Sequence, residues 1–327
     1  MSKPGRFLSR LPALMVGSGA AIFVFYILFL RNGHAPAAEA RPAVPEPAVA
    51  AAIEPAPAPA PAPQPPAPAP EPVLPPPPPP PPQEDLLAKL TDAGKLLEAR
   101  DEIARRFAAE ATDAQRLDLA AKAIALNQRL LVTDPQARDV EFAEINQGES
   151  LITFSRRFKQ LHGEYGVVQL VNNIRNVGAV RAGTKLRVPR GTWSALVEKS
   201  LFTLYLCYQG APCKAYRICI GANDNTPAAK FTVDIKNPKP AWTAPPDWLE
   251  REKVKGPVIP YGHPKNPLGE YWIGLASPSF SGFGIHGTNQ PETIGTKASM
   301  GCVRMNNDEV VELARIAWKG MEVTVVE

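Results

Sequence analysis

Residues 285–305 read IHGTNQPETIGTKASMGCVRM, in which His286 and Cys302 stand 16 residues apart, each beside a glycine. A thiol attacks a carbonyl as its thiolate, and histidine is the usual side chain to take the proton near neutral pH. A loop that folds Cys302 back to His286 would join a nucleophile to a base. Gly287 and Gly301 allow close backbone approach, and their N–H groups are candidate donors to a developing oxyanion. Ser299 and Arg304 flank the cysteine in the same run. Taken singly, His286 also reads as a core histidine and Cys302 as a buried thiol. His263, in YGHPKNPLG, reads as a surface-loop histidine, with a place along the same groove as the alternative.

The elements that must position these residues are mostly strands. LFTLYLCY and KAYRICIG alternate across a turn containing Gly210 and Pro212, a β-hairpin pattern. Further short runs follow at FTVDI, YWIGLA, FGIHG and MEVTVV, and Asn306-Asn307-Asp308 supply caps for a helix over 309–318. The expectation is a mainly β domain with one late helix over residues 197–327.

The larger pattern is more specific than the Cys/His pair. His286-Gly287-Thr288, the 16-residue offset and Ser299-x-Gly301-Cys302-Val303-Arg304-Met305 resemble the catalytic signature of the L,D-transpeptidase family, the YkuD-like fold. The resemblance runs over roughly residues 197–326 and includes Asn266-Pro267-Leu268-Gly269. It implies a β-sandwich and no cofactor or metal. It further implies that Cys302 attacks the carbonyl after the meso-diaminopimelate of a peptidoglycan tetrapeptide stem, releasing D-Ala and leaving an acyl-enzyme. A second amine then takes the acyl group to give a 3→3 crosslink. In this resemblance His286 is the base, its ring oriented by a backbone carbonyl. Ser299 and Arg304 line the site, where a guanidinium suits a stem carboxylate. Two departures stand out. Thr226-Pro227-Ala228-Ala229-Lys230-Phe231 replaces the family's Thr-Pro-Thr-Gly-x-Phe, and Met300 stands where some members carry a second histidine. The rivals are an L,D-carboxypeptidase or hydrolase using the same site, and a non-catalytic wall-binding protein.

Cys207, Cys213 and Cys219 all fall in the first hairpin. If Cys302 stays a thiol, they allow at most one disulfide and leave at least one over. No fourth ligand at metal-motif spacing accompanies them.

Upstream, residues 141–191 read as strand, helix, helix, strand. Gly148-Glu149-Ser150-Leu151, Asn172 or Asn173, and the ending at Gly183 to Pro189 resemble the LysM module, which implies binding of peptidoglycan glycan strands. Residues 138–190 are therefore expected to be a linked glycan-binding module, dispensable for turnover of small stems. Residues 84–137 are rich in Ala, Leu, Glu, Lys and Arg at helical spacing. They are expected to form a helical hairpin, faintly tetratricopeptide-like over 94–107, with Thr112 as cap and Asp134-Pro135 as stop.

Residues 35–83 are a proline spacer: 35–82 hold 22 of the chain's 38 prolines. Polyproline II of that length reaches at most ~150 Å. Residues 11–30 carry no charge, match the length of a membrane span and follow Lys3, Arg6 and Arg10. Residues 1–34 are thus expected to be a cytoplasmic N-terminus and single-pass inner-membrane anchor, with the remainder in the periplasm. A cleaved signal peptide is the alternative. The net charge of +4 is small and scattered, which leaves a nucleic-acid role without support.

Overall fold

The computed structural model describes residues 85–109, 112–135 and 137–327. The expected span at 11–30 and spacer at 35–83 lie outside them. Among the described residues no helix is long and apolar enough to cross a membrane.

Three helices come first, one more than a hairpin. Asp85 accepts from Leu87 N to cap α1 (Leu86–Asp92), which precedes α2 (Leu96–Ala108) and α3 (Asp113–Asn127). Thr112 and Gln115 form a capping box at the start of α3. The chain continues as one π-helical stretch, Gln128–Thr133, and stops before Pro135.

A small antiparallel pair follows, β1 (Val140–Glu144) with β2 (Lys185–Pro189). Between them lie α4 (Leu151–Ser155), capped by Ser150, and α5 (Gly166–Val171). Asn172 accepts from Arg187 N and donates to Arg187 O, clasping β2 to the end of α5.

The remainder is built on one hydrogen-bonded sheet of eight strands. Its strands are β3 (Trp193–Glu198), β4 (Thr203–Tyr208), β5 (Ala211–Arg217), β7 (Lys230–Pro238), β10 (Tyr271–Ala276), β11 (Gly284–His286), β13 (Val303–Arg304) and β14 (Glu322–Val326). They run in the order β13-β11-β10-β7-β14-β3-β4-β5. Short ribbons pair β6 (Ile220–Gly221) with β12 (Lys297–Ser299) and β8 (Trp242–Thr243) with β9 (Val258–Ile259). The ladder is thus continuous through all eight strands. It also starts at Trp193, four residues before the expected boundary. A second helix, α6 (Pro246–Glu252), joins the late helix α7 (Asn307–Ile316), so the expectation of one helix is corrected. Pro245 and Pro246 start α6, a position where a missing N–H costs nothing. Helix α7 ends two residues short of Trp318.

The β4–β5 turn is Gln209-Gly210, with φ of +50° and +76°, the left-handed pair that suits a two-residue hairpin. Pro212 lies in β5, opposite Cys207 where the register shifts, and not in the turn. A proline is tolerated there because β5 is the sheet's last strand. The helices cover that edge. Phe107 meets Tyr205 edge-on at 5.4 Å, and Asn127 Nδ2 donates to Pro212 O at 2.9 Å.

Residues 140–189 are equally tied to the sheet. Their buried Phe154, Val168 and Leu186 belong to the same apolar cluster as Ile273, Val310 and Ile316. His162 stacks on Trp318 at 4.2 Å, and Lys236 Nζ donates to Glu164 and to the carbonyls of Ala314 and Ala317 at the end of α7. Because the core is shared, deleting 138–190 would uncover apolar surface of the sheet. Gly166 marks a close approach to α7: a Cβ there would lie 2.5 Å from the Arg315 backbone. Gly166→Ala is expected to destabilise the folded unit by about 1–3 kcal/mol and lower its Tm by several degrees. An unchanged thermal melt would show that the two parts are not seated together.

Candidate active site

His286 ends β11, between β10 and β13. Across β10 it faces Trp272, and across the parallel pair it faces Arg304. Strand alternation divides these residues between two faces. Ile273, Ile285 and Val303 are buried in the core, whereas Trp272, His286 and Arg304 share the other face. Cys302 precedes β13 by one residue and falls on the side of Arg304. The fold therefore brings His286 onto the strand paired with β13 and Cys302 to the residue just before β13.

The turn before Cys302 is held by two polar side chains. Ser299 Oγ donates to Cys302 O at 2.6 Å and accepts from Gly301 N at 3.1 Å. Thr226, 3% exposed, donates to Gly301 O at 2.8 Å and accepts from Gly221 N at 2.7 Å. Gly301 has φ of +134°, and a Cβ there would lie 3.0 Å from Phe283 Cε1. So Thr226, from the segment that departs from the family pattern, still braces the turn.

Asn307 does the same for the histidine. Its Oδ1 accepts from Glu270 N and Thr288 N, and its Nδ2 donates to Thr288 O at 2.9 Å. In the Asn266-Pro267-Leu268-Gly269 segment, Asn266 is buried and donates to Pro240 O, while Gly269 at φ +63° lets Thr288 N approach. Sequence reading took Asn307 only as a helix cap; its position directly after the motif was the available signal.

His286 is 4% exposed, and its Nδ1 lies 2.6 Å from Gly287 O. A carbonyl only accepts, so Nδ1 carries the proton and Nε2 keeps its lone pair. Burial pushes the imidazole down to about 4; the Gly287 bond opposes this and the Arg304 charge adds to it. Burial pushes the Cys302 thiol up, against a backbone bond from Gly284 and the Arg304 charge. The resting pair is thus neutral imidazole and thiol. Arg304, 8% exposed, donates through Nη1 to Gln290 Oε1 at 3.2 Å, while its buried Nε has no partner among the described residues.

The glycine amides are not the free donors expected. Gly287 N donates to Tyr271 O at 3.1 Å and Gly301 N to Ser299 Oγ. Both are consumed in holding the turns on which His286 and Cys302 sit. The amide of Cys302 itself makes no hydrogen bond with the described residues, which leaves it available to an oxyanion.

Other sequence candidates lie elsewhere. His263 is on an exposed loop, its Nδ1 accepting from Lys265 N. Met300 is 61% exposed beside the cysteine turn. Cys207, Cys213 and Cys219 are unpaired. Cys207 packs against the helices and Cys213 against the opposite core, and burial pushes both thiols up to about 12.

Residues 193–325 match the L,D-transpeptidase catalytic domain, YkuD. That segment begins with the first residue of β3 and ends within β14, so the mainly β sheet is the L,D-transpeptidase domain. YqjB of Bacillus subtilis, which bears the name of an L,D-transpeptidase, is 36% identical over 115 residues, 34% of this chain and 58% of that protein. The chain therefore spans little more than half of that relative. YkuD of Bacillus licheniformis, likewise named, is 28% identical over 189 residues, covering 56% of this chain and 96% of its own. A solved L,D-transpeptidase from Mycobacterium smegmatis superposes with a TM-score of 0.35 at 15% identity, covering 46% of this chain and 65% of that one. At that score the superposition adds nothing to the fold.

A neutral resting pair has a kinetic consequence. The alkylation rate of Cys302 by iodoacetamide should still be climbing above pH 9, the ordinary thiol value. A plateau reached below pH 7 would instead show a standing thiolate–imidazolium pair.

Proposed function

We propose that the L,D-transpeptidase domain of this chain is a cysteine acyltransferase acting on peptidoglycan tetrapeptide stems. The observation that carries the reading is the placement of His286, its Nδ1 committed to Gly287 O, on the strand paired with β13, which Cys302 immediately precedes. Nε2 takes the Sγ proton as sulfur bonds to the carbonyl after meso-diaminopimelate. The oxyanion that forms meets the amide of Cys302. Collapse breaks the bond to D-Ala, whose nitrogen receives the proton from His286. In the second half the amine of another stem attacks the thioester, gives its proton to His286 and displaces the Cys302 sulfur, which takes that proton back. Arg304 offers its guanidinium to a stem carboxylate, and Ser299 holds the cysteine turn. No cofactor enters these steps.

The LysM resemblance of residues 138–190 and the Asn172 clasp support a module that binds glycan strands. The uncharged stretch 11–30 with its basic flank supports a single-pass inner-membrane protein whose domain faces the periplasm.

The full chain incubated with a disaccharide-tetrapeptide is expected to show a Cys302 thioester lacking D-Ala by intact mass, and crosslinked dimers among the muropeptides. Cys302→Ala should abolish both, and His286→Ala should lower turnover by at least ~100-fold, the usual weight of a general base. Tripeptides without dimers would make water the acceptor. A thioester that persists in Cys302→Ala would place the nucleophile elsewhere.

A further inference from the structure

Trp272 is half-buried on β10, directly opposite His286. Its indole stacks on the imidazole with centroids 5.7 Å apart and planes 22° apart. The ring reaches this place because the neighbouring strand pair, Gly274 and Gly284, has no side chains. A Cβ on Gly284 would lie 2.6 Å from Trp272 Cη2, and one on Gly274 would lie 3.0 Å from Nε1. Two glycines facing each other across a ladder weaken it, so the pair is better explained by the ring laid over it. The indole thus rests on a backbone floor, and one face of His286 rests on the indole.

We infer that Trp272 is a positioning residue for His286, fixing the plane of the imidazole and keeping water from it so that the base stays uncharged in mild acid. This rests on the proposed role of His286 as base. Gly287 O fixes the ring at Nδ1 only, a single bond about which the plane can still tilt. The stack removes that freedom, leaving Nε2 directed by the fold.

The charged group facing His286 from the β13 side is Arg304, with Cys302 two residues before it in the chain. From β10 comes the uncharged indole of Trp272, and Asn307 at the start of α7 bonds Thr288 and Glu270 beside it. Two effects of the indole oppose each other. A ring face attracts a cation by about 0.5–1 kcal/mol, less than one pH unit, and favours imidazolium. Exclusion of water favours the neutral ring, and burial is the largest influence holding His286 down to about 4 from 6.5. Burial wins. Removal of the indole therefore admits water and moves the imidazole up toward its ordinary value.

The test is an NMR titration of labelled histidine in the full chain, which has four His, in wild type, Trp272→Ala, Trp272→Leu and Trp272→Phe, each with a thermal melt. In Trp272→Ala the His286 midpoint should rise by at least ~1 pH unit, with Trp272→Phe restoring most of the depression. The acid limb of kcat/KM should move with it. A midpoint displaced to near 6 would give a roughly tenfold loss at pH 5 relative to pH 8 that wild type does not show. If Trp272→Ala does not fold, Trp272→Leu, which keeps apolar volume without a ring, carries the comparison. An unmoved midpoint in a folded variant overturns the inference. Since the titration needs no turnover, a shifted midpoint in a protein that forms no acyl-enzyme would uphold the role of Trp272 while refuting the proposed reaction.

Discussion

The parallel pairing of β11 with β13 puts His286 opposite Arg304 and leaves Cys302 one residue short of the ladder. Parallel neighbours cannot be joined by a tight turn; the chain must cross over, which takes a dozen or more residues. The 15 residues between His286 and Cys302 are that crossover, and they carry β12, which pairs in parallel with β6. The spacing of the motif is thus a consequence of topology. Shortening the crossover would break the register that holds the two side chains on one face.

Polar contacts around this pair fall into two groups with different tasks. Asn307 and Gly269 fix the chain after His286, while Thr226 and Ser299 fix the chain before Cys302. Tyr271 O and Ser299 Oγ take up the amides of Gly287 and Gly301, whereas the amide of Cys302 has no bond to the described residues. Burial then sets the chemistry at rest. An uncharged imidazole and an uncharged thiol avoid the cost of two charges taken out of water, and Arg304 is the remaining buried charge at the site. Protonating His286 is unfavourable in the fold. Its neutral form therefore contributes stability that is complete above about 6.5 and is lost as pH falls toward about 4, where the folded protein also binds the proton.

The upstream elements are part of the same packed body as the sheet. The edge strand β5 would expose unpaired backbone were it not covered by α2 and α3, and the end of α7 gives its carbonyls to Lys236, which also holds Glu164. A polar link between charges at this seam accompanies the apolar contact of Gly166 with α7. The eight-stranded sheet and residues 140–189 therefore keep a fixed relation to each other.

Local signals were readable from the chain. Thr112 and Ser150 cap helices because their hydroxyls meet free N–H groups three residues on, and the alternation of Ile285 and Val303 with His286 and Arg304 marks which residues share a face. The types and spacing of His286, Ser299, Gly301, Cys302 and Arg304 indicated the chemistry. Other features depended on contacts between distant segments. Pro212 looked like a turn residue, but the turn is set by the left-handed pair Gln209-Gly210, and only the sheet's edge explains the proline. The glycine amides looked free because nothing in the sequence shows that Tyr271 O and Ser299 Oγ reach them. Thr226, Asn307 and Trp272 lie 76, 5 and 30 residues from Cys302 in the chain, and their roles arise when the sheet brings them to it. The neutral state of His286 belongs to the same class, since desolvation is a property of everything packed around a side chain and not of its neighbours in sequence.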